Sequence, residues 1–450
     1  MRVTWVQPED VLRHELIQSA AEGKPVERVA ARWVAAGGRL GAPDRGASRD
    51  VATAEQRSLA RALVDELDAM PASATEAEPT DFDAVRRLWS APPPLGHISR
   101  EALADRIRGA WLGRAVGCLL GKPVEGMSRA GIREILQATG RWPLSDWFTA
   151  RGLPADVALG HPWNRASRTT SLAENIDGMP EDDDLNYTML ALALVEQRGR
   201  SFTTDDVAAK WLEELPGLRV YTAERAVYRN LLDGIDPCDA ATTRNPYREW
   251  IGAQIRADLY GWVCPGEPHA AAELAWRDAR LSHVRNGAYG AMFVAAMAAA
   301  ACVADDVDTV IAAGLSVVPP RSRLARSVAL GLDLARRGVP HEDAVDRLYA
   351  AHEGLHWVHV LNNAAAAALA LAESGGDFSR SICAAVAVGW DTDSNGATVG
   401  GIVGALRGAS ALPSSWTRPL RGRIASTLRG FDGATFDALA ERTLVLVDRR

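Results

Sequence analysis

Two short acidic runs carry most of the chemistry that this chain's residue types could perform. Gly389-Trp390-Asp391-Thr392-Asp393-Ser394-Asn395-Gly396-Ala397 interrupts an apolar, small-residue run with carboxylates, hydroxyls and an amide. Burying Asp391 and Asp393 beside Ala384 to Val388 costs several kcal/mol each unless a cation or a dense set of donors meets them. A helix N-cap explains one such residue, because Asp, Ser and Asn are all favoured there and Ala397 to Leu406 can form the helix. Four in a row point further, to oxygen ligands for a hard cation. The second run, Glu181-Asp182-Asp183-Asp184, follows Gly178-Met179-Pro180 and precedes a helical pattern that begins near Asn186. Capping is again the simpler explanation, yet four consecutive carboxylates repel one another without a counter-ion. Together Asp182, Asp183, Asp184, Asp391, Asp393 and Ser394 would supply hard ligands for two divalent ions, Mg²⁺ or Mn²⁺, as metal-assisted hydrolysis requires.

Three shorter motifs have weaker claims. Glu125 lies in Gly121-Lys122-Pro123-Val124-Glu125-Gly126, a loop at a helix end from which an acid can reach a site, although a solvated loop glutamate is the simpler expectation. Gly117 to Lys122 is one residue short of a phosphate-binding loop and is followed by Pro123 in place of the required Ser or Thr. His352-Glu353-Gly354-Leu355-His356 matches the HExxH pattern of zinc peptidases, in which two histidines one helical turn apart hold Zn²⁺. Gly354 weakens the helix that pattern needs, and His359 is a further candidate ligand.

The elements that must position these groups read as helices. From the N-cap Ser99 a helix is expected through Gly121, with Gly109, Gly113, Gly117 and Gly121 at every fourth position; Gly396, Gly400, Gly404 and Gly408 repeat the pattern. Each interior glycine costs about 1 kcal/mol relative to alanine, so two rows in phase imply close backbone approach, and the two helices are expected to pack on each other. Further helical patterns cover Asn186 to Gln197, Thr204 to Leu215, Ala271 to Leu281, Ala288 to Val303, Val307 to Gly314, Arg321 to Arg337, Glu342 to His352 and Asn362 to Ala372. Period-two alternation is sparse, so the fold class is all-α. Residues 1–97 read as an N-terminal helical appendage and linker, with helices over Glu9 to Ala21, Val26 to Ala36 and Ala54 to Met70 and a loose Pro71 to Gly96; residues 98–450 form the main domain and are expected to fold alone.

With 450 residues, 47% of them hydrophobic, the chain can bury a large core. Its net charge of -7 argues against a nucleic-acid surface, and no apolar run reaches the roughly 18 residues of a membrane span. Five scattered cysteines without CxxC spacing give neither a disulfide framework nor a thiolate zinc site, which fits a reducing cytoplasm. Lys24, Lys122 and Lys210 are the only lysines among 50 basic residues, a GC-rich bacterial coding bias.

The glycine helix from Asp105 to Glu125, the Asp182-Asp183-Asp184 run, Asn286-Gly287-Ala288 leading an alanine-rich helix, and Asp391-Thr392-Asp393-Ser394-Asn395 together resemble the ADP-ribosylglycohydrolase family over about residues 99 to 410. The resemblance implies a compact orthogonal bundle of helices and two Mg²⁺ (or Mn²⁺) ions used to cleave ADP-ribose from proteins or small acceptors. It makes Asp182, Asp183, Asp184, Asp391, Asp393 and Ser394 metal ligands and Glu125 and Asp183 catalytic. The candidate substrate contacts are Asn286 and Gly287 as donors to a phosphate, Trp390, whose ring can stack on a sugar or base, and His359. Departures from the family pattern are Asp182 and Leu185 at threonine positions, Trp390 for a common glycine and Cys118 where an aspartate is frequent. The alternatives are a glycosidase for a nucleoside-like metabolite, a non-catalytic member of the family and, more remotely, a zinc peptidase through residues 352–356.

Overall fold

Bare backbone, not side chains, joins the two helices at the centre of this protein. In the computed structural model, which describes residues 2–49, 51–73 and 76–449, they span Arg100–Gly121 and Thr392–Arg407. They run antiparallel, and a methyl group built on Gly113 would overlap the carbonyl of Gly400, as one built on Gly117 would overlap that of Gly396. Gly109 faces Gly404 in the same way, and Gly121 meets the backbone of Thr392. The two glycine rows thus form one seam, as their spacing predicts. Gly408 lies past its end, against Asp105 instead of a fourth glycine.

Around this pair the alanine-rich helix Asn286–Ala301 is buried along its whole length against Pro268–Ala279 and Val307–Leu315, and Phe378–Ala387 packs on Thr392–Arg407 and Val360–Ser374. Small side chains allow helices to approach closely at little cost in side-chain entropy. The architecture is all-α: among the described residues the only sheet is a pair of two-residue strands, Arg423–Ile424 and Ala434–Thr435. No described helix is long and apolar enough to cross a membrane.

The N-terminal helices Pro8–Ala21, Glu27–Ala35 and Ala54–Ala69 enclose a small core of their own, built on Leu12, Leu16, Trp33, Leu63 and Leu67. They dock through buried charge. Arg248 donates to Glu15 at 2.7 and 2.9 Å and to Glu22 at 2.7 and 2.9 Å. The stretch expected to be a loose linker is also anchored: Glu78 is buried and accepts hydrogen bonds from Arg323 and Asn286.

Candidate active site

The seam decides where the acids meet. Where Gly121 touches Thr392, the Thr392 hydroxyl donates to the Gly121 carbonyl at 2.8 Å, so the loop carrying Glu125 leaves one helix beside the N-terminus of the other. Carboxylate oxygens of Glu125, Asp391 and Asp393 lie within 4.8 Å of one another there. A second group, Cys118, Asp182 and Asp184, meets the same criterion. Asp182 caps the helix Asp183–Arg198 through the Asp184 N–H at 2.9 Å, whereas Asp391 precedes its helix without a side-chain cap bond. Capping therefore accounts for Asp182 and leaves Asp391 unexplained. The Ser394 hydroxyl donates to Asp184 Oδ2 at 3.3 Å and links the two groups.

Glu125, Asp182, Asp183, Asp391 and Asp393 bound a cavity of about 430 Å³, also lined by Lys122, Asn164, Arg219, Tyr221 and Trp357 and by Trp5 and Arg45 of the N-terminal segment. That volume suits a small organic ligand. Burial, followed by repulsion from Asp393, pushes Glu125 up to about 8, and burial with Asp182 beside it pushes Asp393 up to about 6. Asp183, Asp184 and Asp391 are raised well above the ordinary carboxylate range, first by burial and then by neighbouring carboxylates. Asp182 is the exception: burial raises it, but the charge and hydrogen bond of Lys122 outweigh that and hold it low. Buried like charges that raise one another in this way favour a cation among them. The oxygen donors of Glu125, Asp391 and Asp393 fit a hard divalent ion.

Of the other expected substrate contacts, the structure brings only Trp390 near the site. Its ring stacks on Tyr349 with centroids 4.3 Å apart and lines an adjoining cavity, which shares Arg45, Glu125, Asn164 and Trp357 with the first. Trp390 adopts φ 59°, a conformation that L side chains rarely take and glycine takes freely. Asn286 is spent inside the protein, donating to Glu78 and Glu249 at 2.9 and 2.8 Å and accepting from the Leu324 N–H at 2.9 Å. Gly287 gives room to the Arg248 carbonyl, and His359 caps a helix through the Leu361 N–H at 3.2 Å. None of these three lines the cavity. Asn286, Gly287 and His359 thus bond and pack within the protein.

The zinc motif fails on geometry. His352 ends its helix, Gly354 turns with φ +83°, and His356 lies beyond, so the two rings are not one helical turn apart. His352 bonds Leu348 O and Ser327 Oγ, and His356 stacks on Trp250 with centroids 4.2 Å apart. Neither histidine belongs to a metal-competent group among the described residues.

Sequence reasoning passed over Arg114 and Lys122. Arg114 is fully buried and donates to Asp184 Oδ1 at 3.1 Å and Asp258 Oδ2 at 2.8 Å. Lys122 holds Asp182 and donates to the Glu181 carbonyl at 3.3 Å. One signal was available, since a lysine in a chain whose basic residues are nearly all arginine is informative. Asn164 was also missed; it donates to Glu125 Oε2 at 2.6 Å.

The chain is similar to proteins already known. An uncharacterised protein of Archaeoglobus fulgidus is 25% identical over 325 residues, which is 71% of this chain and 93% of that protein. A solved structure, an ADP-ribosylglycohydrolase-related protein complex, aligns at 21% identity over 77% of this chain and 99% of its own, with a TM-score of 0.41. Residues 99–450 match the ADP-ribosylglycohydrolase family, a family of glycohydrolases, and the chain belongs to it.

Proposed function

We propose that this protein is a divalent-cation-dependent glycoside hydrolase that cleaves the ribosyl bond of an ADP-ribosylated protein or small acceptor, with Mg²⁺ as the cation and Mn²⁺ as a substitute. The observation that carries the proposal is the meeting of Glu125, Asp391 and Asp393 at the wall of a ligand-sized cavity. A divalent ion held there supplies Lewis acidity and a template for neighbouring ribose hydroxyls. Glu125, positioned by Asn164, takes the proton of the attacking water. Asp183 opens on the same cavity and is the second carboxyl group placed to assist that proton transfer. Arg45 and Arg219 offer guanidinium donors to a diphosphate, and Tyr221 and Trp357 offer faces for a sugar or base. The free cysteines support a reducing, cytoplasmic setting.

Release of ADP-ribose from ADP-ribosylated arginine and serine peptides tests this. Release that needs Mg²⁺ and stops with EDTA is the expected result. Cleavage of nucleoside-like ribosides alone would favour the metabolite glycosidase, and ADP-ribose binding without any cleavage would indicate a non-catalytic member.

A further inference from the structure

The two candidate ligand groups differ in what already balances their charge. In the first, Lys122 is bound to Asp182, and the two side chains are only 10% and 5% exposed. Arg114 is bound to Asp184, both sealed from solvent at 0% and 1%. Cys118, the third member, lies with Sγ 4.0 Å from Asp184 Oδ2. A soft sulfur is a poor partner for a hard ion. Both carboxylates of this group are therefore already paired with protein cations.

The second group is different. Glu125 accepts from the Asn164 amide, and Asp393 accepts from the Ser394 N–H at 3.1 Å. Among the described residues no Lys or Arg forms an ion pair with Glu125, Asp391 or Asp393. Lys122 and Arg45 act on the Glu125 carboxylate, and Lys122 on Asp393, only through space, so no protein cation is bound to this group.

We infer that the site takes one divalent cation, on Glu125, Asp391 and Asp393, and that the Lys122 ammonium stands where a second ion would otherwise sit, against Asp182. This rests on the proposed cation dependence of the site and adds its stoichiometry. An ammonium on a flexible stem is a compact point charge and can neutralise a carboxylate without the octahedral shell that Mg²⁺ demands. Lys122 is then a permanent part of the site, present whether or not metal is supplied.

Equilibrium dialysis with Mn²⁺, followed by metal analysis, and Mg²⁺ calorimetry on the full chain test this. The wild-type protein is expected to bind one ion, and two would overturn the inference while leaving the cation-dependent reading intact. No binding at all would overturn both. Lys122→Met, with its fold checked by circular dichroism, is expected to raise the count from one to two, because it frees the Asp182 carboxylate; an unchanged count and affinity would count against the substitution of ion by ammonium. Asp182→Asn is expected to keep one ion within about threefold of the wild-type affinity. Loss of that ion in Asp182→Asn, with Lys122 in place, would show that Asp182 is a ligand and overturn the assignment.

Discussion

At the residue scale the carboxylates cannot all ionise together without help, and this has a measurable pH signature. Glu125 at about 8 and Asp393 at about 6 hold protons in the folded chain that an unfolded chain releases near pH 4. The folded state therefore binds more protons across that interval, and the stability of the metal-free protein should fall as pH rises from about 5 to about 8. Saturating Mg²⁺ should flatten the fall, because the cation then balances the charge that protons balanced. Melting temperatures across this range in EDTA and in Mg²⁺ check both statements. The acids should also separate by role. Asp391→Asn removes charge that a hard cation needs, so ion affinity and turnover should drop together. Glu125→Gln removes both a base and one of the cation's carboxylates, so it should weaken ion affinity as well and keep a turnover loss of about 10²- to 10⁴-fold even where Mg²⁺ is raised to saturation. Parallel rate and binding measurements on the two variants decide this.

The element that places these residues is the glycine seam, and its cost and benefit are both local. A methyl on Gly113 or Gly400 strikes backbone, which cannot swing aside as a side chain can. Gly113→Ala or Gly400→Ala should therefore destabilise by about 1–3 kcal/mol or more even though alanine is the better helix former. Because the seam also brings Gly121 to Thr392, these variants should weaken Mg²⁺ stabilisation as well, which thermal shifts can show. This much was legible in the sequence: two rows in phase have one economical explanation. The helix Phe378–Ala387 was read only as the apolar run at its C-terminal end, although Phe378, Ser381, Ile382, Ala385 and Val386 are buried at helical spacing along it. Arg129–Ala138, Thr222–Leu232 and Phe436–Asp448 went unread; the first is only ten residues long and contains Gly131. The acidic half of the site could be read because its members adjoin in sequence. Asn164, Arg219 and Tyr221, and Arg114 behind Asp184, could not, because only the fold brings them to it.

At the scale of the whole molecule the N-terminal segment is both a separate small core and a wall of the cavity, through Trp5 and Arg45. A chain cut to residues 99–450 should keep its helical circular dichroism, because the main core is built largely within that range. It should melt at a lower temperature, since Arg248 and Arg323 lose the carboxylates of Glu15, Glu22 and Glu78 that now satisfy them. It should also bind ligand more weakly than the full chain, having lost Arg45, and this comparison separates a stabilising role from a recognition role. The central claim is that a divalent cation on the seam acids holds the ribose of an ADP-ribosyl group, and the most direct measurement is a calorimetric titration of the full-length protein with ADP-ribose, with Mg²⁺ and again after its removal by EDTA. The account predicts saturable binding that needs Mg²⁺ and is lost in Asp391→Asn; equally tight binding without the cation, or in that variant, would contradict it.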